Sequence, residues 1–372
     1  MLASPDRSVA AAYVFTNIAD DSSAFFPGFG TPSVNASGTV AFYGVRAADV
    51  GIFKGSGGAV TPVVTDAGVG GFADFGSRPA INAAGVVAFE AELDNGNSGI
   101  YKGSGGAATL IASDAGPFNA FGAPAINASG TVAFYSAFDD PAVPTEQISA
   151  GTGGAVTAID ADNGPRGSYG TSLIKTASIN ISGTVAFRAS IDAGGSGIFT
   201  GNGGTVLAIA QTSGAGFSSF DNPSINDSGI AAFRAESSSG TTNGIFKGSG
   251  GATTPVAVSG ANVFSNFNDL VSINTQGSVA FGAFLFAGPR ALYVDVNGAR
   301  EEVIRTGDTL FGSTITSFDL GGTALNDTGQ LTFFYSLASG RTGIALASVP
   351  EPGIGAVLFA SAGFLLSRRR RG

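Results

Sequence analysis

A phrase of the form Asn-x-x-Gly-x-x-x-Phe returns seven times along the chain. The Asn and Gly positions are Asn35 and Gly38, Asn82 and Gly85, Asn127 and Gly130, Asn180 and Gly183, Asn226 and Gly229, Asn274 and Gly277, and Asn326 and Gly329. The seven Phe residues are Phe42, Phe89, Phe134, Phe187, Phe233, Phe281 and Phe333. Successive Asn residues lie 45 to 53 positions apart. Self-similarity at such a period indicates a repeat architecture in which each copy is one small structural unit.

Each copy predicts four short antiparallel strands. In the second copy these strands are expected at residues 79–82, 86–93, 99–103 and 107–113. Asn82 and Gly85 hold the first and fourth positions of a predicted type I turn, which favours these two residue types there. The segment that follows the fourth strand, with Phe118 and Phe121, is predicted to be a loop. Four strands in about 47 residues match the size of one propeller blade.

The second strand of each copy is apolar on both faces, as in Val40-Ala41-Phe42. A sheet with one face in water would alternate apolar and polar residues instead. Sheets stacked face to face bury both sides. The sequence therefore predicts an all-β fold, a seven-bladed β-propeller of four-stranded antiparallel blades.

The ends of the repeat region predict how the ring closes. Residues 13–19 resemble a fourth strand, and the last copy, at residues 323–347, lacks one. Pairing residues 13–19 with the last blade would remove an open sheet edge. A competing interpretation makes residues 9–15 the apolar core of a secretory leader. That run is short and lacks a clear cleavage site, so the strand is favoured, and the two interpretations exclude each other.

Composition excludes several functional classes. The chain has no Cys and no His, so thiolate chemistry, a Ser-His-Asp triad and the commonest metal ligand are unavailable. It has no Trp, which weakens an interpretation as a sugar-stacking lectin. The residues before Val349 include 14 basic and 26 acidic side chains, a net charge of −12. Such an acidic body is not suited to bind nucleic acid.

Several polar patterns have simple structural interpretations. The seven Asn residues are expected to form turns rather than bind a ligand. The Gly-Ser-Gly-Gly copies at Gly55, Gly103 and Gly248 lack the ending of a phosphate loop. Residues 160–164 hint at a calcium loop but lack its distal Glu. Asp66, Asp114 and Asp160, and more loosely Ser259, are interpreted as turn caps, with a ring of weak cation sites as the alternative. No cofactor and no metal site is predicted.

Carboxylates are the groups from which an enzyme could be built here. A glycosidase requires two of them at a set separation. The candidates are Asp139, Asp140, Glu146, Glu90 and Glu92. The sequence does not place any two of them together.

The composition changes near Val349, which divides the chain into a propeller at residues 1–347 and a tail at residues 348–372. Val349, Pro350, Glu351 and Pro352 precede an apolar run at residues 354–366, predicted to be a short hydrophobic helix that contacts the inner membrane. Four arginines follow, Arg368, Arg369, Arg370 and Arg371, and they are expected to stay cytoplasmic.

This order of motifs resembles the PEP-CTERM sorting signal of Gram-negative bacteria. The resemblance implies Sec-dependent export, transient retention in the inner membrane and processing near residues 350–352 by an exosortase. It also implies an association with exopolysaccharide and with the cell surface. The repeats resemble a bacterial family of tandem Asn-x-x-Gly-x-x-Ala-Phe repeats, which implies a β-propeller.

These observations lead to three functional hypotheses. The preferred one is an exported, non-enzymatic propeller that binds or structures the extracellular matrix or exopolysaccharide. The first alternative is a carbohydrate-active enzyme, a hydrolase or lyase, with carboxylates in the funnel of the propeller. The second alternative is an intracellular scaffold.

Overall fold

A computed structural model of the chain describes residues 13–349, apart from residues 23, 69, 140–144, 171–174, 214–215, 241, 261 and 287. All regular secondary structure in these residues is β-strand. The predicted C-terminal helix lies outside the described residues.

The strands are numbered in chain order. They are β1 (Val14–Asp20), β2 (Phe25–Phe26), β3 (Ser33–Val34), β4 (Val40–Arg46), β5 (Val50–Gly55), β6 (Thr61–Thr65), β7 (Phe72–Phe75), β8 (Ala80–Ile81), β9 (Val87–Leu93), β10 (Ser98–Gly103), β11 (Thr109–Ser113), β12 (Phe118–Phe121), β13 (Ala125–Ile126), β14 (Val132–Phe138), β15 (Glu146–Gly151), β16 (Thr157–Ala161), β17 (Arg166–Tyr169), β18 (Ser178–Ile179), β19 (Val185–Ile191), β20 (Ser196–Gly201), β21 (Leu207–Gln211), β22 (Phe217–Phe220), β23 (Ser224–Ile225), β24 (Ala231–Ser237), β25 (Asn243–Gly248), β26 (Thr254–Val258), β27 (Phe264–Ile273), β28 (Val279–Leu285), β29 (Arg290–Val296), β30 (Ala299–Arg305), β31 (Thr309–Leu310), β32 (Ser313–Asp319), β33 (Leu331–Leu337) and β34 (Thr342–Ser348).

The strands form seven antiparallel sheets, and these are the blades of a propeller. Blades 1 to 5 each take five consecutive strands from β2 to β26, blade 6 is β27–β30, and blade 7 is β31–β34 completed by β1. The predicted seven-bladed, all-β architecture is therefore confirmed.

One prediction within the blade was wrong. The segment with Phe118 and Phe121, expected to be a loop, is strand β12, the first half of the inner strand of blade 3. Between these two Phe residues the pairing with β14 shifts register. A bulge of this kind adds a residue, which lets apolar side chains three positions apart pack on the same side. That spacing hides the strand from a search for strict alternation.

Ring closure follows the prediction. β1 pairs antiparallel with β34, with Val14 opposite Ser348 and Asp20 opposite Gly343. The carboxylate of Asp21 also accepts hydrogen bonds from the backbone N–H and the hydroxyl of Thr342. The first described strand therefore seals the sheet of the last blade, as the strand interpretation of this segment requires.

The core lies between the blades. In blade 1, Phe42 packs toward blade 7, where it shares a cluster with Ile18 and Ile344. The neighbouring Ala41 packs on the other side, against Phe89 of blade 2. Both residues are fully buried. Small and large apolar residues thus serve opposite faces of one strand, which explains the continuous apolar run in each repeat.

A closed ring of hydrogen bonds ties the seven blades together at one end of the central channel, which we call the Asn end. Asn127 shows the pattern: its Nδ2 donates to the carbonyl of Asn180 in the next blade at 3.0 Å. The other six repeat Asn residues donate in the same way, with donor–acceptor distances of 2.9 to 3.2 Å, in the order Asn35 to Asn82, Asn82 to Asn127, Asn180 to Asn226, Asn226 to Asn274, Asn274 to Asn326 and Asn326 back to Asn35. All seven side chains are buried.

The same side chain also shapes its own turn. The Oδ1 atom of Asn127 accepts a hydrogen bond from the N–H of Thr131 at 2.9 Å, and the N–H of Gly130 bonds the carbonyl of Asn127. Gly130 has a φ of 82°, a value that Gly adopts without strain. The predicted turn role is confirmed, and the amide nitrogen adds a second role that the turn does not require.

Substituting Asn127 by Asp separates the two roles. Asp retains the oxygen that caps the turn, but it has no donor for the carbonyl of Asn180. Because an unmatched buried polar contact costs about 1–3 kcal/mol, we expect Asn127→Asp to lower the free energy of unfolding by that amount. Chemical denaturation monitored by circular dichroism would measure the loss.

Asn95→Asp is the matched control. Asn95 caps an exposed turn through its Oδ1 atom, bonded to the N–H of Asn97, and it makes no bond through its amide nitrogen. We expect this variant to change stability by less than about 0.5 kcal/mol. Equal losses in the two variants would contradict a role for the ring.

Candidate functional site

The Asn end of the channel is polar and internally satisfied. Beyond the ring, Asp227 accepts a hydrogen bond from the N–H of Ile181, and Asp327 accepts one from the N–H of Thr275, each at 2.9 Å. Both contacts join one blade to the next. The polar groups at this end therefore hold the blades together rather than converge on a ligand.

The opposite end, which we call the loop end, is built by the segments that interrupt the inner strands. In blade 2 this inner loop is residues 76–79, between β7 and β8. The inner loops of adjacent blades touch through their backbones. A side chain at Gly30 would collide with the carbonyl of Ser77, and one at Gly122 with the carbonyl of Lys175. The channel is consequently narrow at this level.

Seven residues surround the loop end, and we call them the collar. Each directly follows a repeat Phe: Tyr43, Glu90, Tyr135, Arg188, Arg234, Gly282 and Phe334. Each is paired with an Ile or Leu of the third strand of its blade. The carbonyl of Glu90 accepts a hydrogen bond from Gly76, the first residue of its inner loop, at 2.9 Å. Equivalent bonds join Arg188 to Gly170 and Arg234 to Asp221. The collar is thus held against the inner loops.

Glu90 is the collar residue with the most unusual environment. It is half-buried, and within the described chain its carboxyl group makes no hydrogen bond or ion pair. Burial raises the pKa of Glu90. A desolvated carboxyl group without a compensating partner is costly in a purely structural role and is frequent at catalytic sites.

The next collar residues place a phenol and guanidinium groups along the ring. Burial, reinforced by Glu146, raises the pKa of Tyr135. Arg188 spans the gap between two inner loops, because its Nη1 donates to the carbonyl of Gly170 at 2.5 Å and its Nε to that of Phe220 at 3.0 Å. Burial lowers the pKa of Arg188. The arc from blade 2 to blade 4 therefore carries a half-buried acid, a buried phenol and a half-buried cation.

Arg234 continues this arc in blade 5 as the centre of an ion-pair network. It lies 2.5 Å from Asp221 and 3.0 Å from Glu236, and it also donates to Asn266 of blade 6. Burial alone would lower the pKa of Arg234, but the bonds to these carboxylates raise it overall. The network fixes one side of the loop end.

The other carboxylates named from the sequence do not join Glu90. Glu92 is exposed on the same strand, Asp139 is exposed at the end of β14, and Asp140 lies outside the described residues. Glu146 is bound by Lys175 at 3.2 Å and by the N–H of Tyr169. Of the predicted candidates, Glu90 alone has a described position in the collar.

Three acidic residues of the inner loops were not singled out from the sequence: Asp221, Asp269 and Asp319. They come from blades 5, 6 and 7. Asp221 and Asp319 directly follow the last aromatic residue of an inner strand, and Asp269 follows one position later. An acidic residue just after the aromatic pair of an inner strand would have identified these three positions from the sequence, if the inner strand had been recognised.

The Asp residues proposed as turn caps do cap strands, with one change of register. Asp66 accepts a hydrogen bond from the N–H of Val50, and Asp114 accepts one from the N–H of Ser98. Ser259 makes the equivalent contact with Asn243. In blade 3 the equivalent position is Asp162, whose N–H bonds the carbonyl of Glu146.

Asp160, which was predicted to be a turn cap like Asp66 and Asp114, has different partners. It pairs with Arg166 through two bonds of 2.7 and 2.8 Å, and it accepts a third from Tyr169. The guanidinium group of Arg166 therefore pairs with the carboxylate that a calcium loop would use. The Gly-Ser-Gly-Gly copies lie in the turns that follow the third strands.

The tail is outside the described part of the chain, except for Val349, which is exposed. The positions of Pro350, Glu351, Pro352 and the four arginines Arg368, Arg369, Arg370 and Arg371 are therefore not described. Among the described residues no helix is long and apolar enough to cross a membrane.

A family model matches residues 11–150 and 56–322, and so spans most of the propeller. The chain belongs to the DUF7453 family. This family is described as one of unknown function. A search of curated proteins finds no match to the DUF7453 chain.

Solved structures similar to the DUF7453 chain include several enzymes. An oligogalacturonate lyase from Vibrio parahaemolyticus is 14% identical with a TM-score of 0.56, and the match covers 91% of this chain and 98% of the lyase. An oligogalacturonate lyase in complex with manganese is 12% identical with a TM-score of 0.54, covering 91% and 97%. A prolyl endopeptidase is 12% identical with a TM-score of 0.55, covering 93% of this chain. The DUF7453 chain spans about half the length of that peptidase, 53%.

These likenesses correct one of our predictions. A non-enzymatic matrix binder was preferred from the sequence, yet the similar structures named above are a lyase in two cases and a peptidase in the third. The expectation that the protein is not an enzyme is therefore contradicted.

Manganese does not fit the described residues of the DUF7453 chain. No group of three or more His, Cys, Asp or Glu side chains among them could hold a metal ion. The whole chain also lacks His and Cys. The chemistry at the loop end is therefore derived from its carboxyl, phenol and guanidinium groups.

The raised pKa of Glu90 makes stability depend on pH in a defined direction. A carboxyl group with a raised pKa holds its proton more tightly in the folded state than in the unfolded state. Its contribution is thus most favourable below the unfolded pKa of Glu, about 4.3, and is lost as pH rises toward the folded value. We expect Glu90→Gln to match the wild type in melting temperature near pH 4 and to exceed it at pH 7.

Thermal unfolding monitored between pH 4 and pH 8 would check this expectation. Glu92→Gln removes the same charge from an exposed position on the same strand and is the matched control. A gap between Glu90→Gln and wild type that stays constant with pH would contradict the environment described for Glu90.

Proposed function

We propose that this chain is a carbohydrate-active enzyme, a hydrolase or lyase, that cleaves a polysaccharide at the loop end of its propeller. The observation that carries this proposal is Glu90. It is a half-buried carboxyl group with a raised pKa and no partner within the described chain, and its backbone carbonyl is hydrogen-bonded to Gly76 of the inner loop of blade 2. Sites of this kind combine a concave scaffold with a few perturbed groups.

Glu90 is suited to give a proton to the glycosidic oxygen. Its raised pKa keeps more of the carboxyl group protonated near neutral pH than an ordinary Glu would be, as a general acid requires. As the C–O bond breaks, the proton passes to the leaving oxygen. In hydrolysis, water adds to the sugar carbon and its released proton returns to the Glu90 carboxylate; in elimination, the proton lost from the neighbouring carbon returns to that carboxylate instead. Both routes use the same acid.

The neighbouring collar residues would position the sugar. Tyr135 and Arg188 follow Glu90 in the next two blades. The guanidinium group of Arg188 is held by two backbone carbonyls, so it is fixed before substrate arrives. Such preorganisation lowers the cost of orienting a bound substrate.

Chain coverage favours a sugar over a peptide as substrate. The lyase from Vibrio parahaemolyticus is matched over nearly its whole length, whereas about half of the prolyl endopeptidase has no counterpart here. At these identities the likeness supports a shared scaffold, and the chemistry rests on the collar.

Substituting Glu90 tests the proposal directly. We expect the purified wild type to cleave at least one member of a panel of neutral and acidic polysaccharides. Reducing-end release would detect either reaction, and ultraviolet absorbance of an unsaturated product would identify a lyase. Since general acids contribute about 10²–10⁴-fold, Glu90→Gln should lose at least about 100-fold in kcat.

Glu92→Gln is the control, and it should retain full activity because its side chain is exposed and is not a collar residue. Thermal unfolding of both variants would show that they fold. Cleavage by Glu90→Gln at the wild-type rate, or no cleavage of any polysaccharide by the wild type, would sink the proposal.

We also propose that the enzyme works outside the cell, delivered by its tail. The supporting feature is the order Val349-Pro350-Glu351-Pro352, apolar run and terminal arginines. An exosortase-type enzyme would cut near residues 350–352, after transient anchoring in the inner membrane. Exopolysaccharide at the cell surface would then be within reach of the loop end.

Fractionation of the native host with an antibody to the propeller would test delivery. We expect a surface or secreted form, shorter than the full chain by the mass of the tail. Replacing Pro350, Glu351 and Pro352 by Ala should leave an uncut, membrane-associated form. An uncut wild-type protein in the cytoplasm would contradict this part of the proposal.

A further inference from the structure

The loop end of the channel contains a cavity with a single charged side chain in its lining. Arg78 is that residue, and it projects from the inner loop of blade 2. The rest of the lining is uncharged, with Pro124, Pro223, Leu270 and Val271 among its residues. Arg78 is therefore a cation in largely apolar surroundings.

Arg78 has no partner for its charge. Within the described residues its guanidinium group makes no hydrogen bond and no ion pair. Asp319 of blade 7 exerts an electrostatic effect on it, but that carboxylate is exposed and lies 3.6 Å from Arg290 instead. Burial of Arg78 lowers its pKa. A partly desolvated guanidinium group gains from any anion that reaches it, because burial without a partner is costly.

Backbone donors lie in the same cavity. The inner loop of blade 7 enters the channel at Gly321 and Gly322, and the carbonyl of Gly322 accepts a hydrogen bond from Ser224 of blade 5 at 3.0 Å. The N–H groups of Gly321 and Gly322 donate no hydrogen bond within the described chain. Successive unpaired backbone N–H groups form concavities that bind anions.

Gly321 is required for this arrangement. A Cβ atom there would lie 2.6 Å from the carbonyl oxygen of Pro32, closer than real Cβ atoms come. At Gly322, by contrast, a Cβ atom would meet nothing within 4 Å. The space beside Gly322 is thus open.

We propose that Arg78, with the backbone amides of Gly321 and Gly322, forms a binding site for a carboxylate group, that of a uronic acid residue in the substrate. A planar carboxylate matches the two parallel donors of a guanidinium group. This inference deepens the proposed function by naming an acidic glycan as the substrate class. It rests on the proposed function only in treating the bound glycan as a substrate. Binding of the carboxylate itself can be tested without any turnover.

Isothermal titration with small probes tests the site. The probes are sodium glucuronate, inorganic phosphate and neutral glucose, at matched ionic strength. We expect glucuronate to bind wild type and glucose not to bind. Arg78→Gln should weaken glucuronate binding at least about 10-fold, because the charged hydrogen bonds to the carboxylate are lost. Phosphate binding tighter than glucuronate binding would overturn the assignment to a sugar carboxylate.

Two further variants guard against misfolding as an explanation. Gly322→Val leaves Arg78 in place and projects into the open space, so it should block glucuronate while the melting temperature stays close to that of wild type. Arg46→Ala is the charge control. Arg46 does not line the cavity, and its guanidinium group forms an ion pair with Asp49 at 2.6 Å. It should bind glucuronate as the wild type does.

The outcomes also separate this inference from the proposed enzyme. Glu90→Gln should bind glucuronate normally while losing cleavage. If no polysaccharide is cleaved but glucuronate binding depends on Arg78, the enzyme proposal fails and the anion site stands. Equal glucuronate affinity in wild type and Arg78→Gln, or no binding to wild type, would overturn the anion site.

Discussion

The ring of seven Asn side chains is the interaction on which the rest of this structure depends. Each Asn residue caps its own turn through Oδ1 and grips the next blade through Nδ2, as Asn127 does with Asn180. One net hydrogen bond is worth only about 0.5–1.5 kcal/mol. Seven bonds in a closed ring contribute more than the sum of their single free energies, because each one fixes the spacing at which the neighbouring blades pack. Phe42 and Ala41 then meet the flanking blades on both faces of their strand.

A rigid ring at the Asn end leaves the loop end open to variation. The turns that carry the Asn ring keep nearly the same length, whereas the inner loops differ from blade to blade in length and composition. Blade 2 contributes Arg78 there, blade 5 contributes Asp221, and blade 7 contributes Gly321 and Gly322. The collar varies in the same way, from Glu90 to Arg188. Structural constraint and chemical diversity are therefore concentrated at opposite ends of one channel, as expected when function resides in side chains presented by a fixed scaffold.

Much of the fold could be predicted because the same strand and turn pattern occurs in seven copies of the repeat. The Asn and Gly spacing predicted the turns, the apolar second strand predicted stacking, and the unmatched segment near Val14 predicted the closing strand, β1. The first halves of the inner strands were missed because their aromatic pairs, such as Phe118 and Phe121, are three residues apart. The bulge that places such a pair on one side of its sheet is visible only once the partner strand is known.

The sequence by itself determined the number of blades, their order and the turn chemistry, because these depend on contacts within one repeat or between consecutive repeats. The tertiary structure alone decided which charged groups meet. Glu90 was one of five candidate carboxylates, and no pattern in the sequence distinguished Arg78 from the other basic residues. Burial and the absence of a partner distinguish them, and both properties arise from residues far away in the chain. Arg78 and Gly322 are separated by most of the ring in sequence, and only the closed propeller brings them to the same cavity.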